Sequence, residues 1–244
     1  MSSYKDFTIN SKNPLARFSH RTRNKVAVSM IEGTDNIRLL DFACGDGEFL
    51  INASLSKKNN IYIGFEPYME SQNEAKDISI YSNWSEIELY CESNGLFDFV
   101  TCFETMEHFS EERQNEILKD IKGTLKSNGK LIISVPIEKG FPVLPKNLRR
   151  LATDYKGSEE VLTFKNILYS LFGFKSSFVR QLRTGDEYIP YHMGFFFTDF
   201  EKVLRNHFLV ESKSFSPFPM LPYFFNSQVF YKLSLLKTEK SSID

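Results

Sequence analysis

The sequence predicts an α/β protein in which a largely parallel sheet lies between helices. From residue 36 onward, short apolar runs alternate with stretches of helical length, which is the pattern of successive strand–helix–strand units. The first apolar run ends in Asp41 and leads through small residues at 43–47 into a helix. A second run at 61–65 ends in Glu66. Together these features predict a sheet whose strand ends carry a ligand site.

The predicted elements follow one another in a regular order. A basic helix is expected around Arg17 to Ile31, with Ala27 and Met30 on its apolar face. Ser110 should cap a later helix, because a serine followed by an acidic first turn is a frequent helix start. Strands are expected near 37–42, 61–66, 78–82, 98–103, 130–136, 208–215 and 227–236. Helices are expected near 47–57, 68–76 and 110–125, with Thr198 capping a further one.

The length of the chain, 244 residues, suits one domain with a substantial insertion. The segment from 138 to 193 lacks an alternating strand pattern and contains short amphipathic stretches with a mildly basic charge. The expected organisation is an N-terminal helical lead-in (1–35), a cofactor-binding core (36–137), an inserted helical lid or substrate region (138–197), a helix and strand pair that complete the core (198–237), and a polar tail (238–244).

Composition and charge exclude several classes of protein. The net charge of −1 provides no global basic field of the kind that drives nonspecific binding to nucleic acid, so nucleic acid is not an expected partner. The polar N-terminus lacks the apolar segment of a signal peptide, and the chain has no run of about 18 apolar residues that would form a spanning helix. Three cysteines without paired spacing predict reduced thiols. A cytoplasmic location is therefore expected.

Phenylalanine is unusually frequent, with 24 residues that are weighted toward the second half of the chain. A large aromatic core accounts for most of them. The remainder would line a substrate pocket or touch a membrane surface, so peripheral membrane contact stays open.

The turn after the first strand has the chemistry of a nucleotide-type cofactor site. Its small residues let the backbone approach a ligand, and the helix behind them offers free N–H groups to a carboxylate or phosphate. Glu66, at the tip of the second strand, stands where a carboxylate can accept both hydroxyls of a ribose. The spacing differs from the dinucleotide fingerprint, because Phe49 and Leu50 occupy the place of its third glycine.

Three ordered blocks resemble the class I S-adenosylmethionine-dependent methyltransferases. The first is the acidic residue and glycine-rich run at 41–47, in which Ala43 replaces the family's first glycine; the others are 97–109 and 125–136. The resemblance covers roughly 36–137 and is to the small-molecule branch, such as the O-methyltransferases of ubiquinone biosynthesis. It implies a Rossmann-like sheet of seven strands with the last strand antiparallel, flanking helices, and a helical insertion after the fifth strand.

The resemblance implies S-adenosylmethionine as the cofactor. Asp41 would orient the loop and the cofactor's amino group, and Glu66 would take the ribose hydroxyls. The implied cofactor-binding residues are Asp41, Ala43, Gly45, Gly47, Glu66 and Phe103. The adenine would lie between Pro67 or Tyr68 on one side and Ser82, Asn83 or Trp84 on the other, although Trp84 suits core packing equally well.

The exit of the fourth strand has the form E-x-x-E-H, with Glu104, Glu107 and His108. In the small-molecule branch an E-H pair lies beside the substrate, which implies His108 as a general base oriented by one of the two carboxylates. Small-RNA 2′-O-methyltransferases carry the same form and hold a divalent cation with it and a further histidine. His192 would supply that histidine here. A structural role in a loop and helix cap is the third alternative.

The catalytic candidates are therefore Glu104, Glu107, His108 and His192, and the same four residues would hold a metal if one binds, although none is expected. The expected reaction is methyl transfer to an oxygen, rather than a nitrogen, of a small or medium-sized sugar-, lipid-linked or aromatic acceptor. The alternatives are an RNA methyltransferase of the 2′-O type and a non-catalytic binding protein on the same fold. The pattern predicts neither the identity of the acceptor nor the oligomeric state.

Overall fold

The computed structural model describes residues 22, 24–31, 35–56, 59–68, 78–144, 168, 171–172, 188–189, 192 and 194–236. At its centre lies a sheet formed by β1 (Arg38–Phe42), β2 (Ile61–Phe65), β3 (Ile78–Tyr81), β4 (Phe97–Phe103), β5 (Leu125–Pro136), β6 (Phe208–Ser216) and β7 (Gln228–Leu235). The order of these seven strands across the sheet is β3-β2-β1-β4-β5-β7-β6.

The sheet is parallel except at one edge. Strand β1 pairs in parallel with β2 and β4, and the pairs β2–β3 and β4–β5 are also parallel. Strand β7 runs antiparallel to both β5 and β6, so β7 alone is reversed among the described strands. The predicted seven-stranded sheet with an antiparallel last strand is confirmed.

The described helical segments flank this sheet. They are residues 24–30 (α1), Glu48–Ser56 (α2), Trp84–Asn94 (α3), Glu111–Thr124 (α4) and Phe197–His207 (α5). Short 3-10 turns cover Met106–His108 and Tyr223–Phe225.

Both faces of the central strands β1, β4 and β5 are buried, which explains why these strands read as apolar runs. On one face Leu40 belongs to a core cluster with Ile117 of α4 and Leu204 of α5. On the other face Leu39 belongs to a second cluster with Phe49 of α2. Neighbouring residues of one strand therefore pack in opposite layers, and both hydrophobic cores constrain the strand order.

The N-termini of the helices show which sequence signals were sufficient to predict a helix. Ser110 caps α4 as predicted, since its side chain accepts a hydrogen bond from the backbone N–H of Arg113 at 3.3 Å. Helix α3 was not predicted, because Ile87 is its one fully buried residue and the helix has little apolar periodicity. Its start nevertheless carries a capping signal, in which the N–H of Asn83 donates to the Glu86 carboxylate at 3.1 Å.

The prediction that Thr198 caps the last helix is wrong. Helix α5 begins at Phe197 with Phe196 in the cap position, so Thr198 lies inside the first turn. Burial decides this start, because Phe197 and Phe200 both point into the core and the helix must include both to present one apolar face.

Several predicted elements lie mostly outside the described residues, namely the helix near 68–76, the lead-in before residue 24 and the helical stretches within 145–172, of which residues 168 and 171–172 are described and are helical. Among the described helices, none has both the length and the apolar character needed to cross a bilayer.

Candidate active site

The loop after β1 adopts a left-handed backbone at each of its small residues. Ala43, Gly45 and Gly47 have φ values of 57°, 57° and 73°. The loop is anchored to the neighbouring strand by the N–H of Cys44, which donates to the Phe65 carbonyl at 3.1 Å. Glycine suits such angles best, and Ala43 bears the strain of a side chain there. These backbone angles explain why small residues lie where the chain turns from this strand into the helix.

Two glycines bring the loop into close contact with the sheet, and a third faces open space. A Cβ atom on Gly64 of β2 would lie 2.6 Å from the Cys44 sulfur, so a larger residue there would push against the loop. A Cβ on Gly47 would lie 3.2 Å from Ile80. A Cβ on Gly45 would meet no described atom within 4 Å. The loop is therefore tight against the protein below and open above Gly45, as a cofactor cradle requires.

Glu66 closes the side of this cradle. Its carboxylate accepts a hydrogen bond from the N–H of Gly45 at 2.9 Å and another from the N–H of Tyr68 at 3.2 Å. The carboxylate thus lies directly beside the open space over the loop. This is where a carboxylate must stand to reach the hydroxyls of a bound ribose.

Asp41 forms the buried floor of the cradle. Its side chain is 3% exposed and accepts a hydrogen bond from the hydroxyl of Thr101 at 2.7 Å. Burial raises the pKa of Asp41 to about 7; the Thr101 hydrogen bond lowers it and the charge of Glu66 raises it further. A cationic group placed above Asp41 would favour the carboxylate form, which suits the amino group of a cofactor.

Phe103 and Trp84, the two aromatic candidates for cofactor contact, have different surroundings. The Phe103 ring packs edge-on against Phe49 of α2 at 4.8 Å, so it forms a wall where α2 begins. Trp84 packs edge-on against Phe42 and Phe65, with ring centroids 5.5 and 5.1 Å away. These contacts give Trp84 a packing role within the core rather than a free face for a ligand.

A second group of functional side chains lies where β4 and β5 end. The Nε2 atoms of His108 and His192 are 3.2 Å apart, and a Glu107 carboxylate oxygen lies 3.9 Å and 3.7 Å from them, respectively. Glu107 is fully buried, whereas the two imidazoles are partly exposed. The structure thus joins three of the four predicted catalytic residues in one cluster.

The orientation of His108 is fixed by its neighbours. Its Nδ1 lies 2.7 Å from the carbonyl oxygen of Ile189, and the ring stacks on Tyr188 with centroids 4.6 Å apart. Because a carbonyl can only accept, Nδ1 must carry the proton, and in the neutral ring Nε2 is left with a lone pair. That lone pair faces His192.

Glu104 stands apart from this cluster, and Glu138 joins it. Among the described residues, the group of potential metal ligands whose atoms lie within 4.8 Å of one another contains Glu107, His108 and His192 but not Glu104. Glu104 instead occupies a left-handed turn with φ of 51° at the exit of β4. Glu138, which is 5% exposed, lies 4.0 Å from His192 Nδ1. Its signal in the sequence is an acidic residue just after the end of β5.

The cradle and the histidine cluster face the same edge of the sheet. The cradle lies at the ends of β1 and β2, the cluster lies beyond β4 and β5, and β1 pairs in parallel with β4. Carboxyl ends of parallel strands meet at one edge, which is where open α/β sheets bind their ligands. The cradle and the histidine cluster therefore lie along the same edge of the sheet.

This strand order, with a glycine turn after β1 and acidic residues at the ends of β1 and β2, defines the class I S-adenosylmethionine-dependent methyltransferases. Residues 14–168, more than half of the chain, match the family described as methyltransferase domain, and the chain belongs to that family.

The curated relatives that the chain matches are ubiquinone biosynthesis O-methyltransferases from strains of Coxiella burnetii. They are 25% identical over 158 residues, which cover 56% of this chain and 66% of the relative. The chain therefore spans just under two thirds of the length of these relatives.

Solved structures share the fold at low sequence identity. A protein from Pyrococcus horikoshii OT3 superimposes with a TM-score of 0.56 at 15% identity and 96% coverage of both chains. The plantazolicin methyltransferase BpumL, in complex with a pentazolic desmethylPZN analog and SAH, gives a TM-score of 0.55 at 14% identity, over 93% of this chain and 88% of that one. These likenesses support the class I fold and leave the acceptor open.

Proposed function

We propose that this protein transfers the methyl group of S-adenosylmethionine to a hydroxyl oxygen of a small or medium-sized metabolite. The observation that carries the proposal is the pairing of His108 with His192 above the buried carboxylate of Glu107, with Nε2 atoms 3.2 Å apart. An oxygen nucleophile must lose a proton as it is methylated, and this pair is built to take up that proton.

The residues of the cradle fit the cofactor. Glu66 would hold the ribose hydroxyls, Asp41 would face the amino group, and the open space above Gly45 would take the ligand close to the backbone. When bound, S-adenosylmethionine supplies a methyl group already activated by its sulfonium. The protein therefore needs chiefly to align the acceptor and to exclude water.

His108 is proposed as the general base. Its Nδ1 proton is held by the Ile189 carbonyl, so Nε2 is the atom that takes the proton from the acceptor hydroxyl. The Glu107 carboxylate favours the imidazolium that forms, since an opposite charge within about 4 Å stabilises the protonated ring. His192, whose side chain is 29% exposed, would pass the proton toward solvent.

A metal-assisted version of the same reaction is the second candidate. Ligands bound about 2.1 Å from a tetrahedral cation lie about 3.4 Å from one another. The separations of 3.2, 3.7 and 3.9 Å among His108, His192 and Glu107 are close to that value. A cation held there would lower the pKa of an acceptor hydroxyl directly, and the histidines would then be ligands and not bases.

The proposal is tested by two linked measurements. Calorimetry with S-adenosylmethionine and S-adenosylhomocysteine should give micromolar dissociation constants. Transfer of label from methyl-tritiated cofactor should then be followed over a panel of catechols, phenols, methyl glycosides and a short RNA. Labelled products from hydroxyl-bearing small molecules support the proposal. Transfer to the RNA alone would replace it, and a folded protein that binds neither cofactor form would overturn it.

A further inference from the structure

A third group of buried polar side chains lies at the same edge of the sheet. Ser134 of β5, Ser216 of β6 and Gln228 of β7 are 0%, 0% and 2% exposed. The hydroxyls of both serines, and both the oxygen and the nitrogen of the Gln228 amide, find no hydrogen-bond partner among the described residues. Buried polar groups in folded proteins are nearly always hydrogen-bonded, so a concentration of exceptions needs an explanation.

Strand register places these residues on the face of the cofactor cradle. Ser134 pairs with Phe103 on β4 and with Phe230 on β7. The rings of Phe103 and Phe230 lie 5.9 Å apart, and Phe103 also contacts Phe49 at the start of α2. Directly paired residues share a face, so Ser134 belongs to the layer that contains the first turn of α2.

Gln228 lies on that same face, one step closer to the carboxyl edge. It pairs with Pro136, two residues beyond Ser134, and with Ser216 on its other side. Two residues after Pro136 comes Glu138, whose carboxylate lies 4.0 Å from His192. Gln228 therefore lies beside the end of β5, on the side away from β4, next to the point where the chain continues to Glu138.

Two other buried side-chain amides, those of Gln114 and Asn226, have structural roles and are hydrogen-bonded. Gln114 donates to the carbonyls of Met106 and Phe109 at 2.8 and 3.2 Å. Asn226, only two residues before Gln228, accepts from the N–H of Phe218 and donates to three loop carbonyls. Gln228 is equally buried and has none of these bonds among the described residues. An apolar residue of similar shape would cost less at its position.

We propose that Gln228, together with Ser134 and Ser216, forms a subsite that hydrogen-bonds an uncharged, hydroxyl-bearing part of the methyl acceptor; this inference rests on the function proposed above. An amide offers both a donor and an acceptor, as a hydroxyl group requires. The three residues carry no charge, and the nearby strand ends carry Glu107 and Glu138. An anionic group would therefore lack a counter-charge here, whereas neutral hydroxyls would find partners.

The subsite predicts opposite effects for two matched substitutions. Gln228→Met removes an amide that has no hydrogen-bond partner among the described residues. This substitution should raise the Tm of the ligand-free protein by about 2–4 °C. Gln114→Met removes a hydrogen-bonded amide and should lower the Tm.

In the complex with S-adenosylhomocysteine, we would measure binding of catechol, resorcinol, methyl β-glucoside and myo-inositol by ligand-observed NMR, with benzoate and glucose 6-phosphate as anionic counterparts.

The proposal expects at least one neutral probe to bind the wild type and to bind Gln228→Met at least 10-fold more weakly, with affinity for S-adenosylhomocysteine unchanged. Ser216→Ala should weaken the same probe, which keeps the test valid if the first variant folds poorly. A lower Tm for Gln228→Met, a preference for the anionic probes, or no neutral binder would overturn the subsite. If the folded wild-type protein does not bind S-adenosylhomocysteine, the proposed function on which the subsite rests would be overturned instead.

Discussion

The Nε2 atoms of His108 and His192 lie 3.2 Å apart, although 84 positions separate the two residues in the chain. One follows β4 and the other lies near the end of the insertion. The Ile189 carbonyl holds the Nδ1 proton of His108, so a single proton can link the two Nε2 atoms. The buried carboxyl group of Glu107 lies 3.9 Å from Nε2 of His108 and 3.7 Å from Nε2 of His192. We propose that this arrangement accepts a proton from the acceptor hydroxyl and passes it toward solvent.

Substitution of His108 should separate turnover from cofactor binding. We expect His108→Ala to lower kcat by about 10²- to 10⁴-fold, the usual contribution of a general base, while the affinity for S-adenosylhomocysteine stays within twofold. His207→Ala is the matched control, because that histidine lies on α5 and bonds the side chain of Asn115. Steady-state kinetics and calorimetry on both variants measure the difference. Equal kcat in wild type and His108→Ala would remove His108 from the catalytic residues.

Chelation distinguishes the two versions of the chemistry. If His108 acts as a base, turnover should survive dialysis against EDTA. If Glu107, His108 and His192 hold a cation, turnover should fall and return on addition of Zn²⁺ or Mg²⁺. The assay is run on the acceptor found in the screen, with metal content measured in parallel. Loss of activity that only a divalent cation restores would replace the base mechanism.

The buried carboxyl of Asp41 should make stability depend on pH in a defined direction. Its pKa in the folded protein, about 7, lies above the ordinary value of 3.8. The protonated form is thus favoured by folding, and this contribution is complete below about pH 4 and lost as the pH rises through 7. In Asp41→Asn, which cannot ionise, the Tm advantage over wild type should grow from pH 4 to pH 8. Calorimetric scans of the ligand-free proteins test this, and a difference that does not vary with pH would contradict it.

Cofactor binding should release protons from the same residue. A cationic amino group beside Asp41 favours its carboxylate, so binding near pH 6.5 should expel part of a proton. The binding enthalpy of S-adenosylmethionine should then depend on the ionisation enthalpy of the buffer. Asp41→Asn should abolish that dependence, and an identical buffer dependence in wild type and variant would argue that Asp41 does not face the cofactor.

The contact between Gly64 and Cys44 should be visible in a double-mutant cycle. A Cβ on Gly64 would lie 2.6 Å from the Cys44 sulfur, so Gly64→Ala should cost about 1–3 kcal/mol of stability. Adding Cys44→Ala should restore part of the loss, because it removes the overlapping atom. Gly123→Ala is the control, since a Cβ there meets nothing within 4 Å in helix α4. Denaturant unfolding measures all four variants; strict additivity at positions 44 and 64 would refute the steric explanation.

The sequence by itself determined the class of the protein and the location of its cradle. Asp41, Gly47 and Glu66 are close in the chain and are tied to local features, namely strand ends and a left-handed turn, which residue type and spacing report directly. The alternating apolar runs predicted the sheet, and the resemblance to the methyltransferase family implied its reversed last strand. Helix α3 was missed because its stability comes from packing on one buried residue and a capping signal that was not recognised.

Only the tertiary structure decided which polar residues meet. Glu104, Glu107 and His108 share one motif, yet among the described residues it is Glu107 and His108, without Glu104, that cluster with His192. Glu138 approaches His192 from a further position in the chain. The same holds for Ser134, Ser216 and Gln228, which neighbouring strands bring to one face. Local pattern fixes where a strand ends, but contacts between strand ends depend on strand order and register, and those are set by the burial of the whole sheet.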